Sequence, residues 1–130
     1  MTTADANILI VDDSAIIRKY IRLAASRVGL TDEHVHEAEN GQVALDYVSS
    51  HPIDIVFLDL NMPVMDGEAF LRCIRAKEEL AELPVVLVST ECNEKRLQGF
   101  KGLGVIGYLH KPFQPEQLRE LIDRIMRGLK

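Results

Sequence analysis

At 130 residues, of which 47% are hydrophobic, the chain can bury one well-formed core and is too short for two ordinary domains. With 15 Lys and Arg against 20 Asp and Glu, the formal charge of −5 supplies no basic field for a phosphate backbone, which argues against direct nucleic-acid binding and leaves a basic protein partner open. The opening "MTTADAN" lacks the basic start and long apolar run of a secretory signal, and no later apolar run can span a bilayer, so the expectation is a cytoplasmic protein without membrane insertion.

The first predicted element is a strand, "NILIV" at Asn7–Val11, whose unbroken apolar run suits burial on both faces and ends at Asp12 and Asp13. Ser14 can cap a following helix, in which Ile16, Ile17, Tyr20, Ile21 and Ala24 recur as an apolar face up to a stop near Gly29. "HVHEA" is a short second strand. Asn40 and Gly41 then punctuate before a helix carrying Val43, Ala44, Tyr47 and Val48. "DIVFLD" from Asp54 is the third strand, followed by a helix with Ala69, Phe70, Cys73 and Ile74 on its apolar face. "LPVVLVST" is the fourth strand. A shorter polar helix spans about Asn93 to Phe100, weakened by Gly99 and Gly102. "VIGYLHKPF" is the fifth strand, and Pro115 starts a last helix striped by Leu118, Leu121, Ile122, Ile125 and Met126. Cys73 and Cys92 stand in no CxxC or other paired spacing, and read as reduced, mostly packed thiols rather than a disulfide or metal ligands.

Five strand–helix units predict an α/β fold, a parallel sheet with helices on both faces. Right-handed crossovers then bring the C-terminal ends of all the strands to one edge, where open sheets of this kind bind ligands. Asp12, Asp13, Asp59, Ser89 and Lys111 all fall at that edge. Carboxylates gathered there repel one another unless a cation joins them, and an oxygen-only set suits Mg²⁺. Zinc does not fit, because His34, His36, His51 and His110 show no convergent pattern with cysteine. Each residue also has a plainer reading. Asp12 and Asp13 can cap a helix, Asp59 can bond loop N–H groups, Ser89 can bond nearby backbone, and Lys111 can be an exposed charge beside a turn. Taken together the set suits phosphoryl transfer. Asp59 would attack phosphorus, with Lys111 neutralising the equatorial oxygens and Ser89 donating a hydrogen bond to one of them. Whether the Lys111–Pro112 bond is cis is not legible locally.

"ILIVDDS", "VFLDLNMPVMDG", "LPVVLVST" and "GYLHKPF" resemble, in order and separation, the receiver domain of the response-regulator family, over about Asn7 to Arg127. In its length the chain resembles the single-domain chemotaxis-type members. The resemblance implies a doubly wound, flavodoxin-like receiver fold with strand order 2-1-3-4-5; this order belongs to the family and is not read from the pattern of this chain. It also implies a single receiver domain over residues 1–130, with a short N-terminal lead-in and no separate output domain, since only "RGLK" follows the last helical stripe.

In that resemblance Asp59 is the phosphoacceptor, Asp13 the direct metal carboxylate, and Asp12 the acid that holds metal-bound water or assists directly. Asn61 offers its backbone carbonyl to the metal, Lys111 contacts phosphate, Ser89 is the switch hydroxyl and Tyr108 the switch aromatic. Met62, Pro63, Asp66 and Gly67 form the turn after the active acid. Tyr108 reads equally as a partly buried ring with a wet hydroxyl. Two departures stand out: Thr90 occupies a position usually held by Ala or Gly, placing β-branched bulk on the approach to Asp59, and Leu103 and Val105 are larger than usual. The partners implied are a histidine kinase or histidine phosphotransfer protein, a downstream motor or other effector protein, and a phosphatase. The implied chemistry is Mg²⁺-dependent self-phosphorylation from a phosphodonor and autodephosphorylation, in a chain that is mainly a regulatory phosphoacceptor. Alternatives are a phosphorelay intermediate or phosphate sink, and a phosphate-independent protein-binding module.

Overall fold

The computed structural model describes residues 5–128, so Met1–Ala4 of the lead-in and the final Leu129 and Lys130 lie outside the described residues. Its strands are β1 (Ile8–Val11), β2 (Val35–Ala38), β3 (Ile55–Leu58), β4 (Val85–Ser89) and β5 (Val105–His110). The helices are α1 (Ala15–Arg27), α2 (Gly41–Ser50), α3 (Gly67–Arg75), α4 (Glu94–Lys101) and α5 (Pro115–Gly128). All strand pairings are parallel, in the order β2-β1-β3-β4-β5.

Period-two alternation assigns each strand residue to one of two cores. Ile8, Ile10, Ile55, Phe57, Val86 and Val88 face the layer that contains Ile21 of α1 and Leu118 and Ile122 of α5. Leu9, Val11, Val56, Leu58, Val85 and Leu87 face the other layer, with Ala44 and Val48 of α2, Phe70 and Ile74 of α3 and Phe100 of α4. β1, β3 and β4 are buried along their whole lengths, which is why they read as unbroken apolar runs. β5, at the sheet edge, is more open, and its register against β4 shifts between Val85 and Val86.

Side-chain caps start four helices. Ser14, Asn40, Asp66 and Asn93 accept the N–H groups of Ile17, Val43, Ala69 and Arg96, respectively. The expected apolar face of α1 is corrected by the structure. Its buried positions are Ile21, Ala24 and Ala25, with Ile17 and Val28 packed at the margin, whereas Ile16 is 69% and Tyr20 52% exposed. The stripe facing the sheet is therefore 17, 21, 24, 25 and 28, a helical repeat rotated from the one containing Ile16 and Tyr20. The two thiols are free as expected, but Cys92 is exposed rather than packed, and Cys73 is half-buried. Among the described residues no helix is long and apolar enough to cross a membrane.

Candidate functional site

The ladder that builds the sheet also places the acids. Asp12 continues β1 by donating its N–H to Ala38 O, and Asp59 continues β3 by donating to Val11 O at 2.9 Å. Because β1 and β3 are neighbours, the two carboxylates emerge side by side. Lys111 continues β5, its N–H bonded to Ser89 O at 2.8 Å, and the Lys111–Pro112 peptide bond that follows is cis. The Lys111 side chain reaches back over the sheet edge, with Nζ 2.7 Å from Asp12 Oδ2 and 3.6 Å from Asp59 Oδ1.

Asp12 is almost fully buried, and its second oxygen accepts the Ser14 N–H at 2.8 Å. The cap of α1 is thus Ser14, with Asp12 bracing that cap from below rather than serving as the cap itself. Asp59 is 6% exposed, while Asp13 is open to solvent. Burial pushes the Asp59 carboxyl above its ordinary range and the Asp12 charge adds to this; Lys111 and the backbone N–H groups of Asn61 and Leu60 oppose it. Each of Asp12, Asp13 and Asp59 offers an oxygen, all within 4.8 Å of one another. This crowded all-oxygen set, with the Lys111 ammonium 3.6 Å from Asp59, fits a hard divalent cation such as Mg²⁺.

Asn61 is exposed in the loop after β3, and the body of that loop rests on two glycines. A Cβ built on Gly67 would lie 2.2 Å from Asp59 O and 2.8 Å from Leu60 Cα, and one on Gly41 would lie 2.6 Å from Met65 O. Gly67 is therefore needed for close backbone approach to Asp59; the turn's left-handed residue is instead Val64, with φ of 70° and 84% exposure.

Ser89 is fully buried at the end of β4, its hydroxyl accepting the Glu91 N–H at 3.2 Å. Thr90, next to it, is exposed. The Tyr108 hydroxyl donates to the carbonyls of Ser89, at 3.2 Å, and of Glu91. Burial and the neighbouring Cys92 and Glu91 raise the pKa of this phenol. The β4–α4 connection is thus tied to β5 through one side chain. Leu103 and Val105 pack at the margin of the core layer that Tyr108 also joins.

Arg18 escapes any local pattern, being one of several basic residues on α1. Its Nη1 donates to the Asp12 carbonyl at 2.5 Å while its Nε is bonded to Glu37 of β2 at 2.7 Å. Its only signal in the sequence is its place one turn after the Ser14 cap, which puts it over the strand end.

The profile of the family described as "Response regulator receiver domain" matches residues 8–123. The chain is 36% identical over 122 residues to chemotaxis protein CheY-3 of Vibrio cholerae, covering 94% of this chain and 92% of that protein. It is 38% identical over 118 residues to chemotaxis protein CheY of Pseudomonas aeruginosa, covering 91% and 94%. The crystal structure of the chemotaxis response regulator CheY4 of Vibrio cholerae superposes with a TM-score of 0.82 at 32% identity, over 92% of this chain and 98% of that one. With its strand order, its acidic edge and these likenesses in agreement, the chain belongs to the response regulator receiver domain family.

Proposed function

We propose that this receiver accepts a phosphoryl group on Asp59 from the phosphohistidine of a histidine kinase or histidine phosphotransfer protein, and that the aspartyl phosphate changes the binding of a downstream protein. The observation that carries the reading is the placement of Asp59, a buried carboxylate beside Asp12 and Asp13 with one ammonium, that of Lys111, 3.6 Å away. A carboxylate oxygen of Asp59 attacks phosphorus, the P–N bond to the donor imidazole breaks, and an acyl phosphate forms. Lys111 follows the charge onto the transferred oxygens and Asp12 holds the ammonium in place. Asp13, Asp59 and the Asn61 carbonyl, with Asp12 behind them, would hold Mg²⁺, which would supply the positive charge that offsets the carboxylates and the phosphoryl oxygens. Loss of the phosphate is attack by water on phosphorus with return of the Asp59 carboxylate.

The new dianion accepts the Ser89 O–H and draws toward itself a hydroxyl whose oxygen accepts the Glu91 N–H. Tyr108 senses any such movement because its hydroxyl is bonded to the carbonyls of both Ser89 and Glu91. It also lines a surface groove of about 550 Å³ with Leu97, Lys101, Val105 and the exposed Ile106, so a shift in its population changes the surface offered to the effector. A test is to present this chain with phosphorylated histidine kinases and phosphotransfer proteins, then to compare partners bound before and after phosphorylation. Rapid transfer with a phosphate-dependent partner supports the proposal; transfer onward to histidine with no such partner makes the chain a relay or sink. Equal partner affinity in both states makes it a phosphate-independent binding module.

Asp13→Asn removes an anionic oxygen from the cluster and is expected to weaken Mg²⁺ binding by about tenfold or more, whereas Cys73→Ala and Cys92→Ala leave it unchanged. Calorimetric titration of the three variants checks this, and unchanged affinity in Asp13→Asn removes it as a ligand. Thr90→Ala opens the approach to phosphorylated Asp59 and is expected to speed phosphate loss several-fold in a fully folded protein. Dephosphorylation measured at matched Mg²⁺ decides it; unchanged or slower loss leaves Thr90 with a packing role.

A further inference from the structure

We infer that Arg18 is a positioning residue for the acidic site: it fixes the Asp12 backbone, and with it the loop that carries Asp13, through a guanidinium bridge to Glu37 of β2. The inference rests on the proposed binding of Mg²⁺ by these acids and adds a residue to that site.

Beyond its ladder bond to Ala38 O, Asp12 is gripped at three points. Its Oδ1 accepts the Ser14 N–H at 2.8 Å, its Oδ2 meets Lys111 Nζ at 2.7 Å, and its carbonyl oxygen accepts Arg18 Nη1 at 2.5 Å. The first two bonds orient the carboxylate. The third orients the peptide between Asp12 and Asp13, and so the direction in which the exposed Asp13 side chain leaves the chain. A carbonyl at the end of a strand, past the last rung of its ladder, needs such a donor to have a defined direction.

Arg18 is itself held. Its Nε donates to Glu37 Oε1 at 2.7 Å, while Arg22 occupies the other Glu37 oxygen at 2.9 Å and also donates to Val35 O at 3.0 Å. Burial pushes the Glu37 carboxyl up, but the hydrogen bonds and charges of Arg18 and Arg22 outweigh it and leave the group below its ordinary value, an acid committed to its ionised form. The Arg18 side chain is only 17% exposed, while that of Glu37, at 32%, remains open to water. A planar fork that reaches a carboxylate and a carbonyl with different nitrogens is a task for arginine; a lysine has one nitrogen for both. Glu37 neutralises the guanidinium, so the contribution to a cation site is one of geometry and not of charge, which on its own would repel Mg²⁺.

The two contributions predict opposite outcomes. Mg²⁺ affinity is measured by calorimetry on wild type, Arg18→Lys, Arg18→Gln, Asp13→Asn and Arg75→Gln, each with its unfolding midpoint in the absence of Mg²⁺. Arg75 is a matched structural control. It too is a half-buried arginine bonded to backbone carbonyls, those of Leu103, Leu80 and Gly104, but at the opposite end of the sheet. Both Arg18 variants are expected to bind Mg²⁺ roughly tenfold more weakly, as when a group supporting a metal ligand is lost, while Arg75→Gln loses stability but keeps wild-type affinity. Wild-type affinity in Arg18→Lys, tighter binding in Arg18→Gln, or an equal loss in Arg75→Gln would each overturn the inference. If wild type binds no Mg²⁺ or Asp13→Asn changes nothing, the acidic-site reading fails instead, and the Arg18 inference falls with it.

Discussion

Asp59→Asn is expected to abolish phosphoryl incorporation and, at neutral pH without Mg²⁺, to raise the unfolding midpoint above that of wild type. The first effect follows from removing the only nucleophilic oxygen that the proposed reaction uses. The second follows from the electrostatics of the site. Burial and the Asp12 charge raise the Asp59 pKa in the folded chain, so between the ordinary carboxylate value of 3.8 and that raised value the folded state binds more proton than the unfolded one. Stability contributed by protonated Asp59 is therefore present at low pH and is lost as pH rises through the folded pKa. At neutral pH the ionised group is a net cost that an amide of the same shape does not carry. Wild type should accordingly lose stability on passing from acid toward neutral pH by an amount that Asp59→Asn does not show. Mg²⁺ reverses the order: at about a hundred times its dissociation constant a cation adds about 2.7 kcal/mol to the form that binds it, and the variant loses a ligand. Thermal unfolding against pH, with and without Mg²⁺, tests both halves. A wild type more stable than Asp59→Asn in the absence of metal contradicts the electrostatic account, and labelling retained by the variant contradicts the assignment of the nucleophile.

Gly67→Ala carries the second large effect. The methyl group it adds would sit 2.2 Å from Asp59 O, 2.8 Å from Leu60 Cα and 3.0 Å from Asp59 C, all of them backbone atoms that cannot swing away as a side chain can. Gly67 also donates its N–H to Leu60 O at 3.0 Å, so the start of α3 is bonded to the segment it would be pushed from. Overpacking of this kind costs about 3 kcal/mol. In a domain of this size that lowers the unfolding midpoint by on the order of 10 °C. Relief requires α3 and the Asp59 backbone to separate, which moves the carboxylate relative to Lys111, and phosphoryl labelling should fall even in the fraction that remains folded. Gly99→Ala is the appropriate contrast, because nothing lies within 4 Å of its added methyl and it sits within α4, where alanine is the better helix former. Equal midpoints for the two variants would show that the close approach at Gly67 is not sterically decisive.

Much of this architecture was legible locally. A strand buried on both faces, such as β1 or β3, must be apolar at every position, and a polar residue is tolerated only where it reaches the sheet edge; "ILIVDD" and "IVFLD" therefore mark both the strands and their ends. The stripe of α5 and the cap at Ser14 were readable for the same reason, since periodicity and capping involve residues within a few positions of each other. Resemblance to receivers supplied the strand order, which nothing in the local pattern determines.

Tertiary structure decided what depends on contacts between distant segments. The choice between two overlapping apolar stripes on α1 was made by packing against β1, β3 and α5, and it left Ile16 and Tyr20 outside. The role of Gly67 arises from Asp59 eight residues earlier, the grip of Arg18 on Asp12 depends on Glu37 in another strand, and the Tyr108 hydroxyl finds its acceptors 17 and 19 residues away. The sequence by itself determined which residues could be buried and where each strand must end, because the direction of a side chain follows from the period of its own element. Which oxygens meet which cations at the acidic edge, and which backbones touch there, was determined only when the parallel ladder brought separate strand ends together, because those distances are set by register and crossover and by no property of neighbouring residues.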